Sequence, residues 1–229
     1  MSEEEKNALA VPDVGNLDLV SPDLTEEQID DVAASTDYFK RLQLMGSNSE
    51  AVKEGKMAMG HYALVTDKEN MKDLGNQVDV LVCGMRLKAM EITDEGDVIN
   101  SYDPNEPDFV RIKELSGNPD SGCLCGLDFL LWLPSEQMFV TFFMASKSAR
   151  REAPNLRAKI QDNKPGAATL NVKLASNKRY KWHVTVVKDC STPFAMPEGQ
   201  DIVDNVTKFQ NPPKTESEAV TEDSPERER

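Results

Sequence analysis

The longest regular pattern in the sequence covers residues 77–92, where apolar and polar side chains alternate. Val78 and Val80 fall on one face and Asp79 on the other. A period of two residues is that of an extended strand, because successive side chains point to opposite faces. Gly84 interrupts the pattern and predicts a bend, as a long strand coiling around a small barrel requires. The chain is therefore restricted to folds that contain one long, bent strand with one face in water.

Shorter stretches of apolar or alternating residues between turn residues predict the remaining elements. The predicted strands cover residues 38–44, 57–65, 98–102, 137–144, 170–174 and 179–188. Helical spacing of apolar residues predicts one or two helical turns over residues 109–115. Residues 123–133 are apolar and compact, and they fit a strand or a helix equally well. We therefore predict a mainly β chain with a few short helices, in the α+β class.

Acidic segments flank this core on both sides. Residues 1–37 contain eleven acids and one base, a balance of 1 − 11 or −10. Residues 191–229 contain five prolines and a balance of 4 − 9 or −5. Segments with high net charge and few large apolar groups do not bury enough surface to fold alone. The predicted organisation is an acidic N-terminal arm (1–37), a core (38–195) and an acidic, proline-containing tail (196–229). We expect disorder over 1–15 and from 211 onward, and a transient helix or a docking segment over 201–209.

One short helix is predicted inside the acidic arm, over residues 22–34. A proline and several acids stand at its start, where the helix dipole favours negative charge. Leu24, Ile29 and Val32 are available to dock on the core or on a partner.

A basic segment lies within this acidic chain, whose formal net charge is −14. Between Val140 and Cys190 there are eleven Lys or Arg residues and three acids, a balance of 11 − 3 or +8. A concentrated cationic strip with aromatic residues is the usual footprint of nucleic-acid binding, because cations replace the counterions of phosphates and bases stack on rings. The alternative is a solvated basic face without a ligand. The predicted nucleic-acid-binding residues are Lys147, Arg150, Arg151, Arg157, Lys159, Lys173, Lys178, Arg179, Tyr180, Lys181, Trp182 and His183.

The basic segment divides into a helix and a hairpin. An apolar stripe at helical spacing runs from Ala149 to Ile160. Pro154 either kinks this helix or begins a second helix after a short turn. In the second strand of the hairpin, period-2 alternation puts Trp182 on the apolar face of Val184, which favours a core position for Trp182 over a stacking platform. Lys181 and His183 fall on the other face and are predicted to contact a ligand.

The remaining chemistry-bearing residues indicate neither a cofactor nor an enzyme. Four cysteines are too few for a disulfide scaffold, and the Cys123–Leu124–Cys125 pair lacks the second close pair of a structural zinc site. Nucleotide-binding and hydrolase motifs are missing from the sequence. Asp23 followed at a distance by Glu54-Gly55-Lys56 resembles the loose pattern of magnesium-dependent nucleases, which need carboxylates on adjoining strands. No signal peptide or apolar span is recognisable, which predicts a soluble protein of a reducing cytoplasm, the host cytoplasm if the chain is viral.

The layout of a short-stranded core, a basic helix, a basic hairpin and an acidic tail resembles phage-type single-stranded-DNA-binding proteins. The resemblance covers residues 39–194 and implies an OB-like five-stranded barrel that binds single strands across a strand face and its loops. In that family the acidic tail competes with DNA for the basic groove and recruits replication or recombination partners. The tail here ends in Glu226-Arg227-Glu228-Arg229, without the terminal aromatic residue of some members.

We therefore expect a non-enzymatic protein that coats single-stranded DNA independently of sequence during phage replication or recombination, as a possible homo-oligomer. Two other functions remain open from the sequence. One is a virion or scaffold interaction module, whose basic strip meets an acidic protein surface. The other is the magnesium-dependent nuclease.

Overall fold

The computed structural model describes residues 39–47, 49–66, 70–93, 98–118 and 121–212. Within these ranges the chain forms nine strands and four helices. The strands are β1 (Lys40–Leu44), β2 (Tyr62–Val65), β3 (Met71–Asp73), β4 (Gln77–Ile92), β5 (Val98–Ser101), β6 (Cys123–Leu133), β7 (Met138–Met144), β8 (Gly166–Ser176) and β9 (Lys181–Asp189). The helices are α1 (Glu50–Lys53), α2 (Pro107–Leu115), α3 (Lys147–Arg157) and α4 (Gly199–Gln210). The predicted arm (1–37), with its predicted helix, and the residues after 212 lie outside these ranges.

All nine strands belong to one sheet. The strand order is β3-β2-β1-β7-β6-β4-β8-β9, and β5 pairs with the end of β4 that β8 leaves uncovered. Neighbouring strands are antiparallel except β1 and β7, which are parallel. The prediction of a mainly β chain with a few short helices is confirmed. The sheet is open, since no backbone pairing among the described strands joins its two ends, and the predicted OB-like five-stranded barrel is not confirmed.

The open sheet curls so that β2, the neighbour of end strand β3, contacts β9 at the other end through side chains. Tyr62 of β2 is fully buried, and its hydroxyl group hydrogen-bonds Thr185 Oγ1 of β9 at 3.0 Å. Burial raises the pKa of this phenol well above its ordinary value. The predicted bend in β4 is confirmed, because the pairing of β4 with β6 shifts register between Val82 and Gly84. Such an irregularity bends the strand and increases its local twist, which favours a curled sheet.

The two faces of the sheet are covered by different helices. The inner face, which carries Val80 and Phe129, forms the main core with Leu156 of α3. The outer face, which carries Leu130, packs against Phe209 of α4. Residues 199–210 had been assigned to the predicted tail (196–229), but Ile202, Val206 and Phe209 of α4 are buried against the sheet.

Local sequence explains where three elements differ from their predictions. Residues 123–133, which fitted a strand or a helix, form strand β6 between β4 and β7. The predicted strand 57–65 is shorter, because Gly60 adopts a φ of 83° just before β2. Helix α3 is continuous through Pro154, which lies on its exposed side. The carbonyl that proline leaves without a donor can bond to water there.

Candidate nucleic-acid interface

The hairpin of β8 and β9 extends beyond its pairing with β4 as a two-stranded ribbon (residues 172–185). Strand β4 pairs with β8 only as far as Gln77 and Asn171, whereas pairing of β8 with β9 continues to Ser176 and Lys181. At the tip, Asn177 Oδ1 accepts hydrogen bonds from the backbone N–H groups of Arg179 and Tyr180 at 2.8 and 2.7 Å. The turn is therefore held in one shape by a local side chain.

The ribbon presents its aromatic residues to solvent, so the prediction that Trp182 is a core residue is wrong. Trp182 is 39% exposed and Tyr180 is 69% exposed. The pairing register puts Leu174 opposite His183 and Ala175 opposite Trp182, and directly opposed residues share a face. The His183 and Thr185 side chains therefore point to the inner face and Trp182 to the outer one.

His183 is turned inward because Gly60 leaves room for its ring. A Cβ atom built on Gly60 would lie 2.6 Å from the His183 ring. The ring is half-buried, and its Nδ1 atom is buried without a hydrogen-bond partner. The face of His183 that was expected to be exposed is therefore the inner one, and ligand contact by His183 stays a prediction.

The cations of the ribbon are exposed, and none of them has an acidic partner in the part of the chain that the structure describes. Lys173, Lys178, Arg179 and Lys181 are all in the exposed class. No carboxylate in the described part of the chain lies within ion-pair distance of any of them. Unpaired charges flank the two exposed rings on the ribbon, which is the arrangement that backbone contact and base stacking require.

The second group of predicted residues lies on α3. Ser146 caps the helix by accepting from the Ala149 N–H group at 3.2 Å, and Ala153 and Leu156 hold the helix against the core. The exposed cations on this helix, unpaired within the described ranges, are Lys147, Arg150, Arg151 and Arg157. Lys159 differs from them, because its ammonium group pairs with Asp189 and lowers the pKa of that carboxyl group. Lys159 is therefore less available for a phosphate than predicted.

The structure brings the helix and the hairpin together only at the base of the ribbon. Glu152 of α3 accepts from the Val187 N–H group at 3.3 Å, and Lys159 contacts Asp189. Lys181, near the tip, is eight residue steps from Asp189, or about 26 Å along an extended strand. The predicted residues therefore form two separate cationic groups, one on the ribbon and one on α3.

A third cationic cluster, on the outer face of the sheet, was missed as a candidate site. Arg86 and Lys88 alternate with apolar residues on β4, the strand for which the sequence predicted one face in water. The Arg86 side chain is instead 8% exposed, and its guanidinium group lies 3.2 Å from Asp128 Oδ2 and 3.7 Å from the Tyr102 ring centroid. A Phe209 carbonyl oxygen also accepts from Arg86, which ties α4 to the sheet. Alternation identified the strand but gave no indication of what covers this face.

Burial shifts the pKa values of two charged groups in this cluster. Burial raises the pKa of the Asp128 carboxyl group, although Lys88 and Arg86 act in the opposite direction. Burial likewise lowers the pKa of the Lys88 ammonium group, while Asp128 opposes that change and Arg86 and Arg41 add to it. Lys88 Nζ lies 5.2 Å from the Phe143 ring centroid. Positive charge thus remains next to aromatic rings in a partly buried place.

Among the described residues, the candidate ligands for zinc and for a nuclease metal are not brought together. Cys123, Cys125, Cys83 and Cys190 are free thiols. Within the described ranges, no three His, Cys, Asp or Glu side chains are close enough to hold a metal ion. For the nuclease pattern, Glu54 forms an ion pair with Lys56 at 2.8 Å in a turn, and Asp23 lies outside the described residues.

Comparison of the chain with protein-family models, curated proteins and solved structures gave no match. Among the described helices, none has both the length and the apolar character needed to cross a bilayer.

Proposed function

We propose that the protein binds single-stranded DNA without sequence preference, coating and protecting it during phage replication or recombination. The observation that carries this proposal is the pair of exposed rings, Trp182 and Tyr180, among cations that have no ion-pair partner within the described residues. Every nucleobase has a face that can stack on an aromatic ring, at about 1–3 kcal/mol per base. The proposal needs neither a cofactor nor catalysis, and its compartment is the cytoplasm expected from the sequence.

The turn and the outer face of the ribbon would contact different parts of the bound DNA. Lys178, Arg179 and Lys181 would contact phosphates near the turn. Trp182 would stack on a base at the outer face, beside Lys173. The α3 cations would form a second contact for the same DNA; Lys181 lies about 26 Å along β9 from Asp189, which pairs with Lys159 just after α3.

Stacking on Trp182 favours a single strand over a duplex. Bases in a duplex already stack on their neighbours and do not expose their faces, so a duplex is limited to contacts with phosphates. Removing the rings should therefore lower the preference for single strands. Removing the cations should instead weaken binding to both forms.

Fluorescence anisotropy with labelled single-stranded DNA, duplex DNA and RNA of one length tests the proposal. We expect tightest binding to single-stranded DNA, with a steep loss of affinity as salt increases. Y180A/W182A should reduce the single-strand preference, whereas L174A, which removes an exposed apolar side chain from the same ribbon, should leave it unchanged. Absence of salt-sensitive binding at low ionic strength would refute the proposal. Stronger binding of the duplex or of RNA would show that single-stranded DNA is not the preferred ligand.

A further inference from the structure

An apolar strip on the outer face has no covering element among the described residues. It consists of Met90 and Ile92 of β4, Val98 of β5 and Leu124 of β6. The register opposes Met90 to Leu124 and Ile92 to Val98, so all four side chains share one face. Ile92, Val98 and Leu124 are 47%, 53% and 37% exposed. Contiguous exposed apolar residues of this kind are typical of a docking surface.

Cations border the strip on the side that faces α4. Lys88 is two residues from Met90 on the same face of β4, and Arg86 is two residues further. Arg41 is exposed on β1, where pairing through Thr141 and Leu130 aligns it with Gly84, so that it lies between the attachment point of the arm and the strip. Among the described residues, Asp128 is the carboxylate that interacts with these cations, a balance of 3 − 1 or +2. No carboxylate in the described ranges forms an ion pair with Lys88 or Arg41. The surface therefore fits a partner that is apolar on one side and acidic on the other.

We propose that residues 22–34 of this chain dock as an amphipathic helix on the apolar strip. At about 100° per residue, the three apolar side chains of this segment fall within roughly 140° of a helical wheel. The acids occupy the remaining arc. The apolar residues are Leu24, Ile29 and Val32, and the acids are Asp23, Glu26, Glu27, Asp30 and Asp31. The apolar side of the helix would cover the strip, and its acidic side would face Lys88 and Arg41.

The length of chain between this segment and the core is sufficient for docking. Phe39 packs on the outer face, where its ring centroid lies 6.3 Å from that of Phe209. Residues 35–38 span up to about 14 Å when extended, and a helix of residues 22–34 adds about 20 Å. Pairing aligns Lys40 with Val140, and through β6 with Val82, which is eight steps or about 26 Å from Met90 along β4. Strand β4 is also three strand spacings, or about 14 Å, from β1, which gives a separation of about 30 Å on a flat sheet. The N-terminal part of the segment, which carries Leu24, therefore reaches the strip.

Docking of the arm would change two properties of the surface. It would remove the apolar strip from water, which lowers the tendency of the protein to associate through this face. It would also neutralise Lys88 and Arg41 with the carboxylates of the arm. The ribbon is a different surface, so this inference does not depend on the proposed binding of DNA.

Methyl-detected NMR of the full chain with a soluble paramagnetic agent tests the proposal without nucleic acid. In the wild-type protein, the methyl groups of Ile92, Val98 and Leu124 should show weaker relaxation enhancement than the exposed methyl groups of Leu174 and Val110. The arm variant L24S/I29S/V32S should raise the three strip values to the level of Leu174. Lys88→Gln should raise them in part, whereas the control Lys113→Gln should not.

Three results would overturn the proposal. Strip methyl groups as accessible as Leu174 in the wild-type protein would show that nothing covers them. Protection that disappears on dilution would assign the strip to a second copy of the chain. Protection that survives in L24S/I29S/V32S, but is lost in the full-chain variant E216Q/E218Q/E222Q/D223N, would assign it to the C-terminal segment.

Discussion

Removal of the cations at the tip of the ribbon should change how DNA binding depends on salt. The variant K178Q/R179Q/K181Q removes three exposed charges that lack carboxylate partners within the described ranges. Each cation that neutralises a phosphate of a single strand contributes about 0.7 to the slope of log affinity against log salt. Three such contacts give a slope shallower by about 2.1. Between ~50 and ~200 mM salt, the wild-type protein should therefore lose about 20-fold more affinity than the variant.

The assay is a fluorescence anisotropy titration of labelled single-stranded DNA at several salt concentrations. The matched control is K53Q/K113Q/K208Q, which removes the same charge from exposed positions on α1, α2 and α4. A general electrostatic effect would change both slopes equally. An equal change in the two variants, or no change in the ribbon variant, would refute the assignment of phosphate contacts to the ribbon.

Three further predictions concern the core and the tail. Arg86→Met should lower the free energy of unfolding by about 3–5 kcal/mol, because it leaves Asp128 buried without its partner. The double variant R86M/D128L should recover most of that loss in chemical denaturation. Equal losses in both variants would contradict this prediction. Burial raises the pKa of the Cys83 thiol to about 12, so alkylation near pH ~8 should label this residue only after unfolding, as measured by mass spectrometry; rapid labelling of the native protein would contradict its burial. Removal of residues 211–229 should tighten binding to single-stranded DNA by removing negative charge that competes with phosphates, and unchanged affinity would exclude that competition.

Local pattern was sufficient to predict the central strand and the hairpin. The alternation over residues 77–92 depends only on neighbouring residues, and it matches the bounds of β4. The bend at Gly84 was predictable for the same reason, because glycine interrupts the pattern where the register shifts. The exposed cations of the ribbon and of α3 could also be identified from charge alone.

The side of the ribbon that faces the core could not be read from β9 alone. Val184 and Val186 make the outer face of β9 the more apolar one, and this pattern led to the wrong prediction for Trp182. The orientation depends on contacts distant in sequence, since Thr185 bonds to Tyr62 and His183 packs on Gly60. The turn register, which opposes Leu174 to His183, was the local signal that could have corrected it.

Strand order is the other property that neighbouring residues do not determine. The parallel contact of β1 with β7 joins residues about a hundred positions apart. Strands β3 and β9 are the two ends of the resulting open sheet. Burial of Arg86 has a similar origin, because Phe209 and Asp128 are provided by α4 and β6. The alternation of Arg86 with apolar residues predicted the strand correctly, but it gave no indication of the residues that bury Arg86.

The tryptophan emission of W132F most directly tests the claim that the ribbon binds single strands by stacking. The sequence has two tryptophans, so this variant leaves Trp182 as the only one. We predict that single-stranded DNA quenches this emission along the same titration curve as the anisotropy, and that a duplex quenches it much less. Binding seen by anisotropy with unchanged Trp182 emission would contradict the account.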